Sequence, residues 1–270
     1  MQTNYSDVPD ELWDRVKPWI PPWRRSPRGG PHRLDDRRVF AGVVYRLRTG
    51  CQWDAIPREF GSGSTCYRRF VEWTNAEVFE KIHTEALCYY HDKCGLDLEW
   101  ASLDSASVKA PKGGTFTGPN PTDRGKLGTK RHVLTDGRGI PLAVTLTGAN
   151  VHDKWMVGST LDAVPIYGSR GPRRPEHICL DKGYDYDDPE EEARERGVKP
   201  HIRRRGEPPL VGCVRGKPRR WVVERTNSWH NNFRGLRIRW ERKAENYGAL
   251  VYLACAIITV QAATRQIHRS

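Results

Sequence analysis

The sequence predicts an α/β protein in two parts: a small all-α unit, helix-turn-helix-like in its order, then a mixed sheet flanked by helices. Two observations separate the parts. Up to residue 97 the apolar residues recur at helical spacing, whereas from Trp100 onward short β-rich runs alternate with helical stretches. A third observation, the turn Asp136-Gly-Arg-Gly between two β runs, makes part of the sheet an antiparallel hairpin. The boundary falls at 1–97 for the helical unit and 98–270 for the sheet.

The helical unit begins at Asp10, with apolar residues at 12, 13, 16, 19 and 20, and Pro21-Pro22 stops that helix. A Pro/Arg/Gly linker follows. Asp35 or Asp36 can cap a second helix that runs through Arg48 and ends at Thr49-Gly50. After Gly61-Ser-Gly-Ser, Ser64 is expected to cap a helix from Thr65 to Trp73. That helix would turn Tyr67, Phe70 and Trp73 inward and present Arg68 and Arg69 to DNA. One more helix spans Glu77 to Cys94. In the sheet part, strands are expected at 101–108, 130–135, 140–147, 177–180 and 199–203. Helices are expected at 152–164 and 188–196, with Pro189 in the first turn, then at 219–234 and 245–268. The apolar stretch Ala249–Ala263 is interrupted by Thr259 and Gln261; it reads as a buried helix, too short to span a bilayer.

Charge is clustered. The chain of 270 residues carries a net +12, and residues 201–243 hold 13 Lys and Arg against three acids, with eight Arg against two acids in 24–48. The remaining chain is therefore net acidic. Two concentrated cationic segments form the electrostatic footprint of a polyanion ligand, and they make a nucleic acid the first candidate partner. Seven Cys with no C-x-x-C pair argue against a zinc ribbon or a disulfide framework and for a reducing compartment. No signal segment opens the chain. The expected location is cytoplasmic, with no membrane.

Three carboxylates stand out. Asp104 lies in the β run Ala101–Val108, Asp181 ends the run His177-Ile-Cys-Leu, and Glu224 sits in the helical stretch 219–234 with Trp221, Val222 and Val223 beside it. Carboxylates on two strands of one sheet and on a helix packed against it can converge, and convergent carboxylates are what hard divalent cations need. Around them lie Lys109, Lys126, Lys130, Arg131 and His132, on a Gly/Pro-rich loop and the following strand, where they can reach phosphates. Arg203-Arg204-Arg205 before Gly206 reads as an exposed basic loop. Asp153 is expected to be a helix N-cap rather than a ligand.

Several stretches carry a family resemblance. They are Leu103-Asp-Ser-Ala-Ser-Val-Lys-Ala110, the run Gly118–His132, Gly139–Asp153, Asp181-Lys-Gly-Tyr184 and Arg220-Trp-Val-Val-Glu-Arg225, with Arg46-Leu-Arg-Thr-Gly-Cys-Gln-Trp53 in the helical unit. On these the chain resembles the DDE transposases of the IS4/IS5 insertion-sequence superfamily, in its IS5 branch.

The resemblance implies a ribonuclease-H-like sheet and a catalytic and metal-binding set Asp104, Asp181 and Glu224 holding two Mg²⁺ ions, for which Mn²⁺ can substitute. It implies cleavage at the ends of an insertion sequence and joining of the 3′-OH to target DNA by two-metal phosphoryl transfer. Double-stranded DNA, as terminal inverted repeats and target, is the implied partner, bound by a homodimer in the prokaryotic nucleoid. The family signature Tyr-x2-Arg-x3-Glu-x6-Lys places Arg220 before Glu224, while Lys217 and Asn231 stand where it has Tyr and Lys. Arg225 and Arg234 are the nearby cations able to replace those DNA contacts. Two other readings remain at this stage: a catalytically inactive descendant that only binds DNA, and a ribonuclease-H-like nuclease acting on RNA–DNA hybrids.

Overall fold

The computed structural model describes residues 7–23, 32–168, 171–202, 213–214, 217–218 and 221–267. Its helical part contains α1 (Asp10–Val16), α2 (Asp36–Thr49), α3 (Gly63–Asn75) and α4 (Val78–Cys94). Asp35 caps α2, its side chain accepting from the Arg38 N–H, and Gly50 closes the helix at φ 71°, the left-handed conformation that costs Gly least. The cap of α3 is Ser62 rather than Ser64, because the helix already starts at Gly63. Two single-turn 3-10 helices, Trp53–Ala55 and Arg58–Phe60, separate α2 from α3. That connection is longer than the three- or four-residue turn of a tight helix-turn-helix.

The sheet part has five main strands: β1 (Trp100–Lys109), β2 (Leu127–Asp136), β3 (Pro141–Gly148), β4 (His177–Leu180) and β5 (Lys199–Ile202). They lie in the order β3-β2-β1-β4-β5, with a two-residue strand, Gly118–Pro119, pairing at the start of β2. β1, β2 and β3 form an antiparallel meander, and β4 and β5 run parallel to β1. This order and these directions are those of a ribonuclease-H-like sheet. The β2–β3 hairpin turns where expected because Asp136 organises it. Its Oδ1 accepts from the Arg138 and Ile140 N–H groups, and Gly139 takes φ 88°.

Helices cover both faces. α5 (Val157–Asp162) and α6 (Asp187–Glu195) occur between the later strands, and α7 (Trp221–Asn232) and α8 (Ala244–Ile267) close the fold. Strand alternation sorts the two cores. Leu103, Leu134, Ile178 and Leu180 share one core with α5 and α6 residues such as Leu161 and Ala193. Val108 and Val133 point the other way, into a core with Val223 of α7 and Leu250, Leu253 and Ile257 of α8. That second core also contains Val43, Phe40, Phe70 and Ile82, so the helical unit packs directly on α8. α8 is long and apolar enough to cross a membrane, contrary to the length expected from sequence, but 78% of its apolar window is buried inside the protein. It is a core helix.

Candidate carboxylate site

β1 and β4 pair in parallel with Ala101 beside Ile178 and Ser102 beside Cys179. Two residues past the last recorded pair lie Asp104, within β1, and Asp181, which directly follows β4. Asp104 alternates with the core residue Leu103 and so lies on the α7 face of the sheet. Its Oδ1 accepts from the Ser105 N–H at 2.9 Å, and Asn227 of α7 approaches its Oδ2 at 3.5 Å. Asp181 follows β4 directly and caps the 3-10 turn Lys182–Tyr184, its Oδ1 accepting from the Gly183 N–H at 2.7 Å. Both Asp side chains are half-buried.

Glu224 stands in the first turn of α7, exposed, one helical turn before Asn227 and on the same face. The two Asp residues thus follow the same paired segment of β1 and β4, and Glu224 lies on the helix whose Asn227 approaches Asp104. Among the described residues no group of three His, Cys, Asp or Glu side chains is gathered closely enough to hold a metal ion.

A fourth carboxylate belongs to this neighbourhood. Asp153 is not the cap of its helix; His152 is, with its Nδ1 accepting from the Lys154 N–H. The Asp153 carboxylate instead binds Lys130 Nζ at 2.9 Å and lies 3.8 Å from His132. Between these acids sits Tyr184, 1% exposed, whose hydroxyl has no hydrogen-bond partner among the described residues. Burial, and then Asp153, Asp104 and Asp181 in that order, raise its pKa well above the usual tyrosine value, so it stays protonated.

The structure sorts the expected DNA contacts. Arg68 faces solvent on α3. Arg69 does not: it is buried against Asp36 and Glu72, and burial brings its pKa down to about 10. Tyr67 is the outward residue instead, resting on Trp53. Lys109, Lys126 and Arg234 are exposed, Lys109 with Asp123 at 3.6 Å. Lys130 is half-buried in its ion pair.

Arg131 and His132 are both fully buried and cannot touch DNA in this fold. Arg131 runs under α7 and donates to Asn231 at 3.2 Å; His132 meets Thr147 at 2.8 Å, and burial pulls its pKa down to about 4. They do not reach phosphates as expected because β2 is an interior strand, paired on both sides and covered on both faces. Arg225 is held between Trp221 and Trp229 and donates to the Arg138 carbonyl. Arg203, Arg204, Arg205 and Arg220 lie outside the described residues.

The sequence reading missed Asn227 and Tyr184. Each stands three residues after an expected ligand, a spacing that returns a helical side chain to the same face. It also missed Arg239, whose guanidinium donates to the carbonyls of Thr115, Phe116, Glu241 and Arg242 and to Thr129 Oγ1.

The transposase DDE domain family matches residues 98–259, and a family described as IS4/5 transposases matches residues 8–83. The chain belongs to the DDE transposases, in the IS4/IS5 superfamily. Its relatives agree. It is 46% identical over 160 residues to a Burkholderia cepacia protein named as a transposase for insertion sequence element IS402, covering 58% of this chain and 72% of that protein. An uncharacterized 16.2 kDa protein of the same element matches at 33% over 118 residues, 42% of this chain and 80% of its own.

Among solved structures, the catalytic domain of Mos1 mariner transposase aligns over 87% of this chain and 97% of its own at 11% identity and a TM-score of 0.28. A chain of a simian T-cell lymphotropic virus intasome aligns over 80% of this chain and 65% of its own at 15% identity and a TM-score of 0.36. The strand order, rather than these distant alignments, defines the fold of this transposase.

Proposed function

We propose that this transposase binds the terminal inverted repeats of its element, cleaves the element ends and joins the freed 3′-OH to target DNA. Asp104, Asp181 and Glu224 are the proposed ligands of two Mg²⁺ ions, replaceable by Mn²⁺. The observation that carries the reading is the parallel pairing of β1 with β4, which leaves Asp104 and Asp181 each two residues past the last recorded pair, Ser102–Cys179, together with Asn227, which approaches Asp104 from the helix of Glu224. All three donors are carboxylates, the hard oxygen ligands that suit Mg²⁺. Bound there, the ions supply Lewis acidity and an activated oxygen nucleophile, so no covalent link between protein and DNA is needed.

The chain's own residues prepare that site. Backbone N–H groups of Ser105 and Gly183 fix one oxygen of each Asp. Glu224, exposed in the first turn of α7, is the proposed third carboxylate. Residues 1–97 form the proposed DNA-binding unit with Arg68 as an outward cation, and residues 98–270 the catalytic unit. A homodimer on paired ends, in the cytoplasm with the nucleoid, completes the reading.

The test is Asp181→Asn on a duplex carrying the terminal repeat. We expect end binding to persist while Mg²⁺-dependent nicking and strand transfer disappear; full cleavage by the variant refutes the assignment. Mass measurement with and without end DNA is expected to show a dimer on DNA, and a strictly monomeric active complex would refute that part.

A further inference from the structure

Three aromatic rings from three neighbouring strands meet away from the carboxylates: Trp100 of β1, His177 of β4 and His201 of β5. Strand alternation puts them on the sheet face opposite Leu103, Ile178 and Leu180. The Trp100 ring stacks on His177, with centroids 4.4 Å apart and planes 20° from parallel. His201 completes the cluster, 4.7 Å from Trp100 and 5.0 Å from His177. The indole is itself fixed, since its Nε1 donates to the Glu99 carboxylate at 3.0 Å.

The two imidazoles face each other through their nitrogens. In the parallel pairing of β4 with β5, His177 lies beside Lys199 and Cys179 beside His201, so the two histidines are diagonal neighbours. His177 Nδ1 and His201 Nε2 stand 3.0 Å apart. Both rings are half-buried, within reach of dissolved ions.

That separation is also a chelate bite. Two nitrogens each about 2.0–2.1 Å from one ion, at octahedral or tetrahedral angles, lie about 2.8–3.4 Å apart. An ion can therefore replace the proton shared by the rings with little movement of either strand. The donating ring shifts that proton to its other nitrogen through water, so both imidazoles stay neutral and each gives the ion a lone pair. Imidazole nitrogens suit Zn²⁺ and Ni²⁺, whereas carboxylates suit Mg²⁺.

We propose that His177 and His201 chelate one borderline divalent ion of the Zn²⁺ and Ni²⁺ class, at a site separate from the carboxylates. His177 precedes Asp181 by four residues, about 13 Å along the chain. Two protein ligands leave the remaining positions of the ion to water. Cys179 is buried and is not one of the ligands. The ion clips β5, a four-residue edge strand, to β4.

The experiment is equilibrium dialysis of the untagged, reduced full chain against Ni²⁺, with excess Mg²⁺ present to occupy the carboxylates. Tryptophan emission is followed in parallel. We expect the wild type to take up one Ni²⁺ per chain saturably, and His177→Asn and His201→Asn each to lose that uptake. Asp181→Asn should keep it. Trp100→Phe retains both ligands, so its uptake should persist while the quenching of emission caused by Ni²⁺ is lost.

Absence of saturable uptake by the wild type overturns the proposal. So does full uptake by either His variant, or loss of uptake in Asp181→Asn, which would place the ion on the carboxylates. If a His variant fails to fold, Trp100→Phe decides: quenching equal to that of the wild type would show that the ion binds elsewhere.

Discussion

Glu241→Ala should cost about 3–5 kcal/mol of stability, although Glu241 is remote in sequence from the residues it holds. Glu241 Oε1 accepts from Arg46 Nη2 of α2 and from Trp53 Nε1, both at 3.1 Å. Side-chain exposure is 4% for Arg46 and 8% for Glu241, so the pair is cut off from water. Arg46 lies 5.0 Å over the Trp53 ring, and its Nε and Nη1 have no partner among the described residues. Burial already lowers the Arg46 pKa, against the opposing pull of Glu241.

Removing the carboxylate leaves a buried guanidinium and an indole N–H unanswered. The loss of one partner of a buried pair carries the cost stated above, and the orphaned N–H adds about 1–3 kcal/mol at most. The double variant Arg46→Met/Glu241→Leu removes both charges and should recover most of the loss, giving a coupling of at least about 2 kcal/mol. Urea unfolding with matched slopes measures all four corners of the cycle. A loss under about 1 kcal/mol in Glu241→Ala, or strict additivity in the cycle, would refute the claim that this pair joins the helical unit to the segment before α8.

Three further outcomes are expected. Stability should rise with pH between about 4 and 6.5. Burial lowers His83 and His132 to about 4, so the folded state refuses protons that the unfolded chain takes below its ordinary 6.5, and that stability is lost as pH falls. Asp136, raised to about 6 by burial, works the other way: it favours the fold at low pH and loses that contribution as pH rises through 6. Two histidines outweigh one aspartate, and urea midpoints at pH 4.5 and 7 check the sign; a higher midpoint at pH 4.5 refutes it. Arg68→Ala should weaken DNA binding and reduce the slope of log affinity against log salt by about 1, without lowering the melting temperature. Arg69→Ala should lower the melting temperature instead, because it strips a buried cation from Asp36 and Glu72.

The legible parts of this fold were those with local signals. The hairpin at Asp136-Gly-Arg-Gly, strand His177–Leu180 and the caps at Asp35 and Gly50 each rest on residues a few positions apart. The settings of Asp104 on a strand, Asp181 directly after one and Glu224 on a helix were also legible, since each follows an apolar run. What the residues alone could not show was the direction of basic side chains on interior strands. Lys130 and Arg131 are neighbours in sequence, yet strand alternation sends Lys130 to Asp153 and Arg131 to the opposite face beneath α7. Asp153 was misread for a related reason. Cap and ligand positions look alike in sequence, and the neighbouring His152 provides the cap.

The buried arginines also change what the net charge means. Arg46, Arg69, Arg131 and Arg239 all lie inside the fold, and each is answered there. Arg46 meets Glu241, Arg69 meets Asp36 and Glu72, Arg131 meets Asn231, and Arg239 ties the carbonyls of Thr115 and Phe116 to those of Glu241 and Arg242. Such charges cannot release counterions from DNA, because a phosphate cannot reach them. Both cationic segments seen in the sequence therefore contain structural cations: Arg46 in the first, Arg239 in the second. The salt dependence of DNA binding should accordingly follow the exposed cations, among them Arg68, Lys109, Lys126, Arg234, Arg237, Arg242 and Lys243, and fall short of the slope that the two clusters suggest when every Arg and Lys is counted.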